Sequence, residues 1–168
     1  MIVVLEGPDF AGKSTLAETL QERFNGRILS NGQPPAGVDL SHHYLQQVIG
    51  ASGRSELTVF DRLHVGELIY GPIYRGRCLL SVVDVEEIER ALDKDGALKL
   101  HVDAPDEVLV ERFRGPRGDD LVEGEERLIS IAREYRRILG SPDHLLNWQN
   151  LDASAVVSRI QESLPRRE

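Results

Sequence analysis

The chain opens on an unbroken apolar run, Ile2-Val3-Val4-Leu5, and turns polar only after it. A run with no polar face predicts a strand buried on both sides. Leu16, Ala17, Leu20 and Phe24 then recur at helical spacing until Asn25-Gly26 stops them, and Arg27 to Ser30 forms a short β-like run ended by Asn31-Gly32, Pro34-Pro35 and Gly37. Tyr44, Leu45 and Val48 place one side of a helix over Leu40 to Ile49, and Leu57 to Phe60 predicts a third strand. Leu63 to Tyr70 predicts a helix that Gly71-Pro72 ends. Asp84 with Glu87 predicts a capping box for a helix carrying Val85, Ile88 and Leu92 and stopped by Gly96.

Leu98, Leu100 and Val102 alternate with Lys99, His101 and Asp103, which predicts a fourth strand. Pro105 at a first helical position, with Asp106 and Glu107, starts a helix carrying Val108, Leu109 and Phe113. Leu128, Ile131, Ala132, Tyr135, Ile138 and Leu139 give a further helix before Gly140 and Pro142. Leu145 to Leu151, around Trp148, predicts an edge-like fifth strand, and Ala153 to Leu164 a last helix. Strands alternating with helices make this a parallel α/β sheet.

The length, 168 residues, fits one domain spanning 1–168 and is short for two. Because the first strand starts at Ile2 and no apolar run reaches the roughly 18 residues of a membrane span, a soluble, intracellular (cytoplasmic) protein is expected. Cys78 is the only cysteine, which excludes an internal disulfide. His42 and His43 are adjacent, so a helix points them about 100° apart and spoils them as chelators. The net charge of −8 argues against gripping a polyanion broadly, so no stable nucleic-acid binding is expected, while a small anion in one focused basic pocket is compatible.

Such a pocket is written at the end of the first strand. Gly7-Pro8-Asp9-Phe10-Ala11-Gly12-Lys13-Ser14 spells G-x-x-x-x-G-K-[ST] between strand and helix. Its glycines let successive N–H groups and the positive end of the helix face phosphate oxygens. Lys13 would reach the β- and γ-phosphates, Ser14 would place its hydroxyl on Mg²⁺, and Thr15 would reach a more distal phosphate. Gly7, Pro8, Phe10, Ala11, Gly12, Lys13, Ser14 and Thr15 are thus the expected contacts to ATP.

The third strand ends in Asp61-Arg62, on the ligand side of a parallel sheet, making Asp61 a candidate for Mg²⁺ and Arg62 a candidate phosphate ligand. Tyr70 and Tyr74 beside Arg75 and Arg77 read equally as an aromatic and cationic nucleotide wall or as core aromatics with arginines reaching to solvent. Arg112, Arg114 and Arg117 crowd a glycine-containing polar segment between two helices, which predicts a mobile lid at about 112–124.

With these features in order, the chain resembles the thymidylate kinases, of a compact kind such as phage deoxynucleoside monophosphate kinases. E-G-P-D-F-A-G-K-S-T resembles that family's E-G-x-D-G-x-G-K-[ST]-T, with Asp9 at its aspartate, and D-R-L-H-V-G-E-L-I-Y resembles D-R-[YH]-x-x-S-x-x-A-Y, with Asp61, Arg62 and Tyr70 in register. The resemblance implies a five-stranded sheet of order 2-3-1-4-5 with helices on both faces, and ATP-dependent phosphorylation of a deoxynucleoside monophosphate, dTMP first. It also implies Asp9 at the acceptor sugar or metal, Arg62 on the acceptor phosphate, and Arg112, Arg114 and Arg117 closing over the nucleotide and the transferring phosphoryl. A homodimer is implied as well. Phe10 departs from the pattern where a glycine is usual, and so does Gly66-Glu67 where small hydroxyl residues are usual. Asn31-Gly32-Gln33-Pro34 stands where R-E-P is usual, Asp119-Asp120 where the lid has D-R, and the stretch before the third strand is too short for the helices that carry the base-stacking aromatic. Tyr44, Phe10, Tyr70 and Tyr74 are the aromatics at hand for a base.

The rival readings are a nucleoside kinase with Glu6 or Asp9 as base, a kinase for a modified base in DNA, which the acidic chain opposes, and a non-enzymatic nucleotide-binding switch.

Overall fold

The computed structural model describes residues 1–34, 36–115, 122–140 and 148–163. Its centre is β1 (Ile2–Glu6), paired in parallel with β3 (Thr58–Asp61) on one side and β4 (Leu98–His101) on the other, with β2 (Arg27–Ser30) beyond β3. The order is β2-β3-β1-β4. Register runs from Ile2 opposite Thr58 to Leu5 opposite Asp61, so the carboxyl ends of β1 and β3 finish side by side.

Strand side chains alternate between two apolar layers, because successive Cβ atoms leave opposite faces of a sheet. Val3 and Leu5 pack with Leu16 and Leu20 of α1 (Lys13–Phe24) and Val156 and Ile160 of α7 (Ala153–Ser163). Ile2 and Val4 join the larger layer with α2 (Leu40–Ala51), α3 (Val65–Arg75), α4 (Val82–Lys94), α5 (Asp106–Arg114) and α6 (Glu125–Leu139). Helices therefore cover both faces.

Several expectations are corrected. The fifth strand is not formed among the described residues: one parallel bridge joins Leu100 to Gln149, and residues 145–147 lie outside the described ones. Trp148, around which that strand was expected, is buried and donates its indole N–H to Glu89 at 3.1 Å, an anchor in the core rather than a strand position. The helix expected to end at Gly71-Pro72 continues to Arg75 and stops at Gly76 in a left-handed turn, φ 69°. Pro72 withholds one N–H, but the Tyr70–Tyr74 stack and an ion pair between Glu67 and Arg75 tie the turns on either side together. The capping box is Ser81 with Asp84 rather than Asp84 with Glu87, since α4 starts at Val82. Lys99 and His101, which alternate with the apolar positions of β4, are both buried because helices cover their face of the strand. Lys99 is satisfied there by Glu89 at 2.6 Å and Asp93 at 2.7 Å. No helix among the described residues is long and apolar enough to cross a membrane.

Candidate active site

The phosphate loop links β1 to α1. Gly7 sits at φ 153°, and a Cβ there would collide with the carbonyl of Val102, so the loop can lie against the end of β4 only with glycine. Gly12, at φ 100°, forms the N-cap of α1, which leaves the first N–H groups of that helix facing the loop. Phe10 is also left-handed, φ 64°, and its ring meets Phe113 of α5 edge to face at 5.6 Å. The residue that departs from glycine thus keeps a backbone that glycine favours and gains an aromatic contact.

Lys13 is buried and donates to the Pro8 carbonyl at 2.6 Å. Burial first, and then the nearby charge of Arg62, lower its pKa to about 7 against the opposing pull of Asp9, Asp61 and Glu6. Ser14 donates its hydroxyl to Asp61 at 2.9 Å, so the end of β3 and the first turn of α1 present a hydroxyl and a carboxylate side by side. Hard oxygen donors of this kind, completed by phosphate oxygens and water, suit Mg²⁺, which is commonly held by one or two carboxylates and the nucleotide. The residues present fit that ion.

Arg62 follows β3 in a left-handed conformation, φ 70°, its N–H donating to Leu5 at 2.9 Å. One end of its guanidinium donates to the Gly7 carbonyl at 2.9 Å and to the Tyr135 hydroxyl at 3.1 Å, and the other end pairs with Asp9. Tyr70 donates to the second Asp9 oxygen at 3.0 Å and lies under the guanidinium, 4.9 Å from ring centroid to Cζ. Burial alone would lower the Arg62 pKa, but Tyr135, Tyr70, Asp9 and Glu6 hold the guanidinium charged, above its ordinary range. Among the described residues three of its five N–H donors are used, by Gly7, Tyr135 and Asp9.

Glu6, fully buried at the end of β1, supports this group from below. One oxygen accepts from the N–H groups of Leu63 at 2.8 Å, Val65 at 3.1 Å and Gly66 at 3.3 Å, and the other accepts from Tyr135 at 3.1 Å. A carboxylate at a helix N-terminus is favoured by the orphan N–H groups and the dipole. Both oxygens are thereby committed, which weakens Glu6 as a general base.

Two clefts meet at Asp9 and Arg62. One, of about 750 Å³, runs along the phosphate loop past Phe10, Lys13, Ser14, Thr15, Asp61 and Arg112. The other, about 500 Å³, is walled by Tyr44, Glu67, Tyr70, Tyr74 and Arg75. Asp9, Asn31, Gly32 and Arg62 line both. Arg112 donates to the Phe10 carbonyl at 2.7 Å and so touches the loop directly. Arg114, expected over the transferring phosphoryl, forks onto Glu125 at 2.6 and 2.8 Å and lines neither cleft. Arg117 and the rest of the lid segment 116–121 lie outside the described residues. Tyr70, Tyr74 and Arg75 belong to the cleft wall, whereas Arg77 does not.

Sequence reading missed three contributors. Tyr135 looked like a core residue on helical spacing, yet its hydroxyl bridges Glu6 and Arg62. Asn31 lines both clefts, donates to the Arg62 carbonyl at 3.0 Å and exchanges amide hydrogen bonds with Gln47 at 3.0 and 2.9 Å. Glu67 is a nearly fully buried carboxylate on the second cleft. The signal for Glu67 was present in the departure from small hydroxyl residues.

No protein-family model and no curated protein matches the chain in sequence. Solved structures do resemble it. The YorR protein of Bacillus subtilis, in complex with phosphorylated GDP, superimposes with a TM-score of 0.76 at 20% identity, with 100% of each chain covered. Deoxyadenosine kinase of M. mycoides, with the products dCMP and dCDP, gives 0.57 at 15% identity over 98% of this chain and 100% of that one. Polyphosphate kinase 2 of Arthrobacter aurescens gives 0.56 at 13% identity over 97% of this chain and 65% of that one. The chain shares the fold of these proteins.

Proposed function

We propose that the chain transfers the terminal phosphoryl of ATP to the phosphate of a deoxynucleoside monophosphate, with dTMP the first acceptor to test. The observation that carries this reading is the meeting of the two clefts at Asp9 and Arg62, which puts one guanidinium on the wall of both. Phosphoryl transfer asks mainly for alignment and charge compensation. ATP lies along Gly7 to Thr15, with Lys13 on its β- and γ-phosphates and Arg112 beside the loop. Ser14 and Asp61 hold Mg²⁺, which neutralises phosphate charge when bound. Arg62 holds the acceptor phosphate, and Asp9 fixes Arg62 and faces the acceptor sugar. Arg114 and Arg117 are the further charges this reading expects over the transferring phosphoryl, and Arg114 would first have to leave Glu125. A phosphate acceptor is already ionised near neutral pH, so no general base is required.

A nucleoside kinase would need a free carboxylate poised on a hydroxyl. Glu6 is committed to four donors, and Asp9 to Arg62 and Tyr70. The test is a panel of deoxynucleoside monophosphates, nucleosides and single-stranded DNA with ATP and Mg²⁺, read as ADP formed per acceptor. Monophosphates should lead; turnover confined to nucleosides or DNA refutes the reading.

A further inference from the structure

Glu67, Gly71 and Arg75 follow one another a turn apart along α3, and Glu67 and Arg75 line the second cleft. Glu67 and Arg75 make an ion pair across Gly71, and a Cβ at Gly71 would come within 2.5 Å of the Glu67 carboxylate and 3.0 Å of the Arg75 guanidinium. The missing side chain is what lets the pair close. Glu67 is 4% exposed, and its other oxygen accepts from the Leu79 N–H at 2.8 Å. Arg75, by contrast, has a side chain 29% exposed and commits one end of its guanidinium to Glu67.

A buried carboxylate with a single charged partner costs several kcal/mol of desolvation. The ion pair with Arg75 and the first turn of α3 offset part of that cost, and the pair stands at the cleft wall rather than in the apolar core. The two charged groups also stand beside an aromatic platform: Tyr70 and Tyr74 stack with an interplanar angle of 10° one helical step away. Tyr44 stands close enough to Glu67 and Arg75 for both to act on its hydroxyl, whose pKa is raised first by burial and then by Glu6 and Glu67. Aromatic faces with hydrogen-bonding groups at their edge are the chemistry that holds a nucleobase.

We infer that Glu67 and Arg75 read the edge of the acceptor base, and that they select a base carrying a ring N–H beside an exocyclic carbonyl: thymine, uracil or guanine. The inference rests on the monophosphate-kinase reading above for the acceptor's orientation. With the acceptor phosphate on Arg62, the base cannot turn over freely, so the order of donors and acceptors along its edge matters. A lactam N–H donates to the Glu67 carboxylate while the adjacent carbonyl accepts from Arg75, giving two charge-assisted hydrogen bonds. In the same pose cytosine and adenine set a ring nitrogen lone pair against the carboxylate and an amino group against the guanidinium. Both contacts are then mismatched, and sites that leave buried polar groups unpaired reject the wrong ligand strongly.

The test is calorimetric binding of dTMP, dGMP, dCMP and dAMP to the wild-type chain, Glu67→Gln and Arg75→Gln, alongside phosphoryl transfer from ATP to each. The wild type should bind dTMP and dGMP at least about tenfold more tightly than dCMP and dAMP. Glu67→Gln should narrow that ratio by about tenfold, since an amide oxygen kept on the Leu79 N–H sets the NH₂ toward the base edge, where it suits a ring lone pair and opposes a ring N–H. Arg75→Gln, at a more exposed position, should narrow it without loss of fold, whereas a purely structural pair would lower stability and leave the ratio unchanged. Preference for dCMP or dAMP, or a ratio that neither variant moves, overturns base selection by this pair. Ranked binding without phosphoryl transfer overturns the kinase reading and leaves the selection standing; absence of binding by all four overturns both.

Discussion

Arg62 and Asp9 form an ion pair where the two clefts meet, and each is held by a further partner, Arg62 by Tyr135 and Asp9 by Tyr70. The pair fixes the guanidinium plane on the wall shared by the two clefts. A planar fork does this and a point charge does not. Arg62→Lys should therefore lower kcat/KM for the acceptor by roughly 10²-fold, the scale of one lost preorganised contact in a transition state, while ATP affinity changes little. Steady-state kinetics with ATP binding measured separately checks it, and equal losses for ATP and acceptor contradict the assignment.

Phe10 combines a left-handed backbone with the edge-to-face contact to Phe113, so two substitutions separate strain from packing. Phe10→Ala loses the ring and keeps the strained φ; Phe10→Gly loses the ring and relieves it. The glycine variant should be the more stable of the two by about 1 kcal/mol. Urea denaturation midpoints compare them directly, and an alanine variant equal to or above the glycine one contradicts a strained Phe10.

His101 carries a pH dependence. Burial first lowers its pKa, with Arg136 and Lys13 adding to that and Asp103 opposing, and its ring Nε2 is buried without a hydrogen-bond partner among the described residues. The unfolded chain takes up a proton near the ordinary pKa of about 6.5 while the folded chain resists it, so stability is full above that pH and declines below it. The ring stacks on Tyr135 at 6.2 Å, a contact that phenylalanine retains. His101→Phe should stay within about 1 kcal/mol of the wild type at pH 7 and lose less stability on acidification to about pH 5. Parallel pH profiles would contradict the burial argument.

The elements legible in the sequence are those whose cause is local. The β1–loop–α1 unit follows from an apolar run, two glycines at special φ and helical spacing over twelve residues, and it is found as expected. The helix bounds around Pro72 and Ser81 went astray because side-chain pairs across a turn outweighed a breaker residue and a cap moved the start. Alternation along β4 shows which residues share a face but cannot reveal that helices bury its polar positions. The support beneath Arg62 was hidden for a plainer reason: Glu6 and Tyr135 are 129 residues apart, and no spacing rule joins them. Arg114 shows the reverse, a residue type suited to phosphate that finds Glu125 eleven residues on.

Transfer of label from γ-labelled ATP to a deoxynucleoside monophosphate, with Mg²⁺ and the product identified chromatographically, tests the central claim most directly. The wild-type chain should yield the labelled diphosphate. Lys13→Ala, which removes the buried ammonium of the phosphate loop, should lower the rate by roughly 10²-fold or more while the fold persists. Label appearing only on nucleosides or on DNA, or a folded Lys13→Ala chain as fast as the wild type, would contradict the account.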